Sequence, residues 1–288
     1  RQRQMCIRDR QMSIAQLKNT CTDLKKHVID MIYKAQSGHP GGSLSVAEFV
    51  TACYFREMNV DPQNPKWADR DRFVMSKGHV CPAQYAALAM RGFFPMEVLD
   101  TLRKEGSMLQ GHPDMKKCPG IDISTGSLGQ GVSTAAGMAL GAKLSGYSNT
   151  VYAVMGDGEI QEGQFWEACM YAGAHKLGNL IGIVDSNKIQ LDGRVSEVLD
   201  TGDLQAKFEA FGFFVQSIDG HDVAAISDAI DRAKAETGRA SMIIANTVKG
   251  KGVSFMENTC KWHGRVPTDE EFAAAFEELY QRKAELEG

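Results

Sequence analysis

Thr150-Val-Tyr-Ala-Val-Met-Gly-Asp-Gly158, followed one helix-length later by Leu180-Ile-Gly-Ile-Val-Asp-Ser-Asn187, decides the fold. Each stretch is a short apolar, β-branched run that stops at turn-forming polar or glycine residues. Strands without a polar face belong in a parallel sheet covered on both sides. Between them, residues 161–176 place Phe165, Ala168, Cys169 and Ala172 at helical spacing. Strand, helix, strand is the crossover unit of such sheets. Working outward, Arg-Phe-Val-Met within 71–76 is a further candidate strand, as are 213–218 and 241–245, the last two separated by an alanine-rich helix over 223–235. Upstream, Leu17, Cys21, Leu24, Val28, Met31 and Ile32 mark an amphipathic helix over 14–34. It runs into Ser37-Gly-His-Pro-Gly-Gly-Ser43, a stretch hostile to helix and strand alike, before a second helix over 46–58. Residues 268–288 read as a helix with a charged, solvated face, with partner binding as the alternative. The fold class is α/β, three layers of α/β/α around a mostly parallel sheet, in one domain over 12–288. Residues 1–11 hold four arginines, lack the apolar core of a secretory signal, and are read as a non-native leader before Met12.

Composition narrows the function. The 288 residues carry a net charge of −4, which argues against nucleic-acid and anionic-membrane partners. No apolar run approaches a membrane span. Seven cysteines, never spaced as CxxC, disfavour a disulfide framework and a structural zinc site, and point to reduced thiols in the cytoplasm.

Ligands of parallel sheets gather beyond the carboxyl ends of the strands. Asp157 and Asn187 stand at two such ends, one crossover apart, so adjacent strands bring a carboxylate and an amide oxygen together. Hard oxygen donors of this kind suit Mg²⁺ that bridges to phosphate. The glycines flanking Asp157 let backbone approach a diphosphate at a helix start. Gly156-Asp-Gly158 alone is also an ordinary tight turn with a helix cap. A nicotinamide site fits poorly, because Gln161 stands where a dinucleotide turn needs glycine. Thr125-Gly-Ser-Leu-Gly-Gln-Gly131 is a second glycine cluster, readable as a helix-entry loop. His39, His79, His112 and His263 each adjoin glycine in segments that read as loops. Turn formation needs the glycine but not the imidazole, so these rings suit hydrogen bonding and proton transfer to an oxygen-rich substrate.

Taken together and in order, Ser37-Gly-His-Pro-Gly-Gly-Ser43, Ser76-Lys-Gly-His79, Gln110-Gly-His-Pro113, Ser124-Thr-Gly-Ser-Leu-Gly-Gln-Gly131, Gly156-Asp-Gly158 and Leu177–Ile189 resemble the thiamine-diphosphate-binding part of transketolases over about residues 13–267. The resemblance implies a thiamine-diphosphate-binding fold and thiamine diphosphate with Mg²⁺ as cofactors. It implies transfer of a two-carbon ketol unit from a ketose or ketose phosphate to an aldose or aldose phosphate. Asp157 and Asn187 would ligate Mg²⁺ by side chain and Ile189 by its carbonyl. Gly158, His79 and His263 would meet the diphosphate, and Gly126, Ser127 and Leu128 the aminopyrimidine. His39, His112 and His263 would act on substrate oxygens. Glu162 and Glu167 match acidic residues near the family's subunit interface, Glu162 being counted with the cofactor contacts. Lys249 either adds positive charge near the phosphates or is a solvated loop lysine.

The family's pyrimidine-binding and C-terminal domains have no counterpart in this sequence, and the glutamate that triggers cofactor ionisation belongs to the former. The chain therefore resembles the N-terminal subunit of a split transketolase, expected to self-associate and to need a second, C-terminal subunit. A fragment of a longer chain is the rival. Ser127, where many members have proline, and Asp185-Ser-Asn187 in place of Asp-Asp-Asn depart from the full-length pattern. Thr247-Val-Lys-Gly-Lys-Gly252 with Trp262-His-Gly264 is closer to split members and deoxyxylulose-phosphate synthases. A synthase of that type, a 2-oxo acid dehydrogenase subunit and a non-catalytic binding module are the alternatives.

Overall fold

In the computed structural model, which describes residues 12–287, the strands are β1 (Arg72–Met75), β2 (Val151–Gly156), β3 (Leu180–Ser186), β4 (Phe214–Asp219) and β5 (Ser241–Asn246). The leader expected at 1–11 lies outside the described residues. The helices are α1 (Ile14–Ala35), α2 (Pro40–Ser45), α3 (Ala47–Ala52), α4 (Cys81–Met90), α5 (Gln130–Leu144), α6 (Gly163–Ala174), α7 (Val195–Val198), α8 (Leu204–Ala210), α9 (Val223–Ala235) and α10 (Asp269–Glu287). Strand order is β1-β2-β3-β5-β4, and every pair is parallel rather than mostly so.

Successive side chains of a strand point to opposite faces, and here both faces are buried. Tyr152, Val154, Ile181 and Ile183 join a core with α1, α3, α4, α9 and α10. Ala153, Met155, Leu180 and Val184 join a second core with α5, α6 and α8. Those two cores are the reason for three layers. Helix α1 starts at a capping box in which Ser13 and Gln16 satisfy each other's backbone donors, and ends at Gln36 in the left-handed conformation.

The stretch at 37–43 departs from the irregular segment read in the sequence, since α2 begins at Pro40. Proline suits a first helical position because the missing N–H is not needed there. The glycines serve contact rather than flexibility. A Cβ on Gly41 would stand 2.8 Å from the Trp262 carbonyl oxygen, and one on Gly42 would stand 2.6 Å from Val80. The helix read over 46–58 is α3 continued by a π-helical turn, Cys53–Glu57. Helix α4 escaped the sequence reading because residues 81–89 are buried all round, which erases the amphipathic period.

Candidate active site

The carboxyl ends of β2 and β3 meet where Gly156 pairs with Asp185. Asp157 follows at once, 4% exposed, its two oxygens accepting the backbone N–H groups of Gly158 and Lys188. Lys188 adopts a left-handed φ of 67°, which turns its amide onto that carboxylate. Asn187 is buried beside it, donating through Nδ2 to Asp185 at 2.9 Å and accepting Ile189 N–H at 3.1 Å. Among the described residues no lysine, arginine or histidine lies within ion-pair distance of Asp157. Burial and the charge of Asp185 push its pKa up to about 6. Gly158 sits tight against Gln190, whose Cβ would be 2.9 Å from a Cβ at 158. A buried carboxylate without a cation, an adjacent amide and a backbone carbonyl form a donor set that fits a hard dication. No group of three His, Cys, Asp or Glu side chains able to hold a metal occurs among the described residues.

Three of these four loop histidines converge. The ring centroids of His39, His79 and His263 lie 5.0, 5.3 and 5.2 Å apart. His263 Nδ1 is 2.9 Å from Lys249 Nζ, and His39 Nδ1 is 3.4 Å from Arg103 Nη2. Lysine and arginine only donate, so both imidazoles accept at Nδ1 and carry their proton on Nε2. Burial, reinforced by neighbouring cations, lowers His39 and His263 to about 4 and His79 further. All three rings are neutral donors near pH 7.

This cluster makes the ligand-free chain acid-sensitive. A folded imidazole held below its ordinary 6.5 refuses a proton that the unfolded one accepts, so stability falls as pH drops from 6.5 towards 4. Asp157 works in the opposite sense between 3.8 and 6, because the folded carboxyl is the better proton acceptor, and it offsets one of the three. Thermal melts of the ligand-free chain should show Tm falling between about pH 6.5 and about pH 5. A flat or rising Tm over that window would contradict the cluster's neutrality.

His112 stands apart, exposed at the mouth of an open cavity of about 530 Å³ that Gln110, Lys116 and Ser124 also line. Its ring packs on Gly126, where a Cβ would come within 2.9 Å. Gly126, Ser127 and Leu128 form the loop that enters α5, so the second glycine cluster is a helix entry placed beside the site. Ser127 and Leu128 are exposed. Glu162, at the N-cap of α6, and Glu167 are exposed too, and the structure does not bring them into the imidazole cluster.

Lys249 is not a solvated loop lysine. It is 2% exposed, and besides His263 it donates to the carbonyls of Ile189 at 3.0 Å and Gln190 at 3.4 Å. Burial and the charge of Lys77 lower its pKa to about 8.

Sequence reasoning gave no role to Lys77, Asp185 or Arg103. Asp185 is 2% exposed and accepts from Lys77, Ser45, Thr247 and Asn187. Burial alone would raise its pKa, but the Lys77 charge and these bonds hold it below the usual range. Lys77 and Asp185 lie inside quoted motifs, so a signal existed. Arg103 lies in a stretch without one, yet it donates to Ser37 at 2.7 Å and steadies His39.

Residues 17–284 match the family model described as transketolase, thiamine diphosphate binding domain. The chain is 48% identical to the 6-deoxy-6-sulfo-D-fructose transketolase subunit SqwG of Clostridium sp. (strain MSTE9), covering 93% of this chain and 98% of that one. It is 41% identical to an apulose-4-phosphate transketolase subunit of Phocaeicola vulgatus, covering 91% and 93%. The solved transketolase of Campylobacter jejuni superposes with a TM-score of 0.88 at 35% identity, covering 96% of this chain and 46% of that one. The chain thus spans nearly all of the two relatives named as subunits and about half of the solved enzyme.

Proposed function

The chain belongs to the transketolase family, through its thiamine diphosphate binding domain, and from that premise we propose that it is the cofactor-diphosphate-binding subunit of a two-chain transketolase. It would move a two-carbon ketol unit from a ketose to an aldose. One arrangement carries this reading. A buried carboxylate without a cation partner lies one strand end from neutral imidazoles whose tautomers are set.

In this reading Asp157 and Asn187 hold Mg²⁺ by side chain and Ile189 by its carbonyl, which keeps a second lone pair beyond the one Lys249 occupies. Gly158 and His79 bound the diphosphate, and Lys249 sets a positive charge beside it. Bound thiamine diphosphate supplies the electron sink that allows a carbon–carbon bond next to a carbonyl to break and re-form. The protein's part is position and field. His39 and His263 offer Nε2–H donors to substrate oxygens, where developing negative charge strengthens the hydrogen bonds. Their low pKa values keep them neutral donors rather than resident cations. His112 would extend the donor row to the cavity mouth, and Gly126, Ser127 and Leu128 would face the aminopyrimidine.

The exposed loop residues Ser127 and Leu128, and exposed Met170 and Tyr171 on α6, are surfaces suited to a second subunit and to self-association. Glu162 and Glu167, exposed at the start of α6, belong to the same assembly face in this proposal. Both relatives are named for ketoses bearing an anionic group, a sulfonate or a phosphate. We infer a ketose donor with an anionic tail. The described cysteines are free, which favours a reducing compartment such as the cytoplasm, and no described helix is long and apolar enough to cross a membrane.

The test is reconstitution. The purified chain is mixed with a candidate second subunit that carries a pyrimidine-binding domain, with thiamine diphosphate, Mg²⁺, a sulfo- or phospho-ketose and an aldose phosphate. Ketol transfer is expected only when both chains are present. Full activity of the pure chain alone would refute the two-chain reading. A complex that binds cofactor yet transfers nothing from any ketose would refute the transketolase reading.

A further inference from the structure

The loop that carries Lys249 is also held by groups with no part in the site described above. His221, in the turn between β4 and α9, accepts the Val248 backbone N–H through Nε2 at 2.8 Å. A ring nitrogen that accepts carries no proton, so the proton is on Nδ1, 3.2 Å from Glu48 Oε2. Glu48 lies buried in α3, and its other carboxylate oxygen accepts Lys25 Nζ of α1 at 2.7 Å. Burial alone would raise the pKa of Glu48, but Lys25 and His221 hold it well below the ordinary range, so the carboxylate stays ionised and keeps the Nδ1–H tautomer. Lys25, Glu48 and His221 border a cavity of about 350 Å³ that Lys18, Cys21 and Arg282 also line. The residue after Val248 along the chain is Lys249.

We propose that His221 is a positioning residue for Lys249. By accepting the Val248 amide in one fixed tautomer, it determines where the loop presents the ammonium to Ile189, Gln190 and His263. The inference rests on the reading of Lys249 as part of the diphosphate cradle. Thr247 and Gly250 anchor the same loop through Asp185 and the Gly41 carbonyl, so losing His221 shifts the loop without releasing it. The shift follows because an amide left without its acceptor costs more than a formed hydrogen bond gains, and the backbone moves to find another partner.

Two neighbouring amides separate this role from general support. His221→Gln reaches the Nε2 position with its oxygen, whereas His221→Asn stops near Nδ1. Thiamine diphosphate with Mg²⁺ is titrated into the full chain, and exchange of the Val248 amide is followed alongside. The Asn variant should bind about tenfold more weakly and exchange Val248 faster at an unchanged Tm, with the Gln variant within about twofold of wild type in both. Should the Asn variant fail to fold, Glu48→Gln serves instead. Its amide donates to Nδ1, moves the ring proton to Nε2 against Val248, and should give the same loss. Equal affinity in every variant overturns the proposal, as does a loss in Gln and Asn alike that tracks a fall in Tm. If Lys249→Ala binds as wild type does, the cradle reading fails instead, and Val248 exchange still reports whether His221 holds the loop.

Discussion

Asp157→Asn and Asp157→Ala will bind thiamine diphosphate in the presence of Mg²⁺ roughly a hundredfold to a thousandfold more weakly than the native chain, the range expected when one partner of a buried charge pair is removed. The carboxylate is the one negative ligand in the proposed set, since Asn187 and the Ile189 carbonyl are neutral. Losing it leaves the dication held by neutral dipoles alone on the protein side. The ligand-free protein should respond in the opposite direction. A carboxyl whose folded pKa is raised to about 6, against an ordinary 3.8, contributes stability at low pH that is lost as pH rises through the folded value. At neutral pH the charged group therefore opposes folding, and Asp157→Asn, which keeps the size and removes the charge, should melt at or above the native Tm. Calorimetric titration and thermal melts of the same samples check both halves. Native-like affinity in the Asn variant would end the metal assignment. A lower Tm without ligand would show that the two backbone bonds to Gly158 and Lys188 outweigh the buried charge.

That opposition explains why a candidate site was legible in outline from residue types alone. Asp157 and Asn187 follow directly on the apolar strands β2 and β3, so the break in each apolar run was itself the signal. His39, His79, His112 and His263 worked the same way, and three of the four converge. His112 does not join them, because Gly126 admits its ring at the rim rather than in the cluster. The strands were legible because burial on both faces leaves continuous apolar runs, and α1 because one face is wet. Burial all round hid α4, and packing against Trp262 and Val80 turned the glycines at 41 and 42 helical. The deeper polar partners were hidden for another reason. Lys77 and Asp185 are 108 positions apart, and nothing local in either segment names the other. Lys249 had two readings, and the folded loop, which buries its stem and aims its ammonium at two carbonyls, removes the solvated one.

Asp185→Ala should cost about 3–5 kcal/mol of folding stability, the expectation for stranding one charge of a buried pair. The geometry explains the size. β1 and β3 flank β2 in the sheet, so the bond from Lys77 to Asp185 crosses the end of β2. It crosses over Gly156, where even a Cβ would stand 3.5 Å from Lys77 Cδ. Removing the carboxylate leaves an ammonium that is 3% exposed without its counter-ion, and it strips the Thr247 hydroxyl of its acceptor, while Ser45 keeps the Gly42 carbonyl at 3.0 Å. Lys77→Met should cost less, because Ser45, Thr247 and Asn187 still donate to Asp185 and a carboxyl without its cation can take up a proton. Joining the two changes removes both charges, so the double variant should be more stable than Asp185→Ala alone. Urea unfolding of the three variants measures this directly. A loss below about 1 kcal/mol in Asp185→Ala would mean that water reaches the pair and screens it. A double variant that costs the sum of the singles would mean that the two side chains do not act as a pair. The same pair sits beside Asp157, whose raised pKa owes part of its shift to the Asp185 charge while Lys77 opposes it. The ion pair across these strand ends thus also tunes the carboxylate proposed to hold the metal.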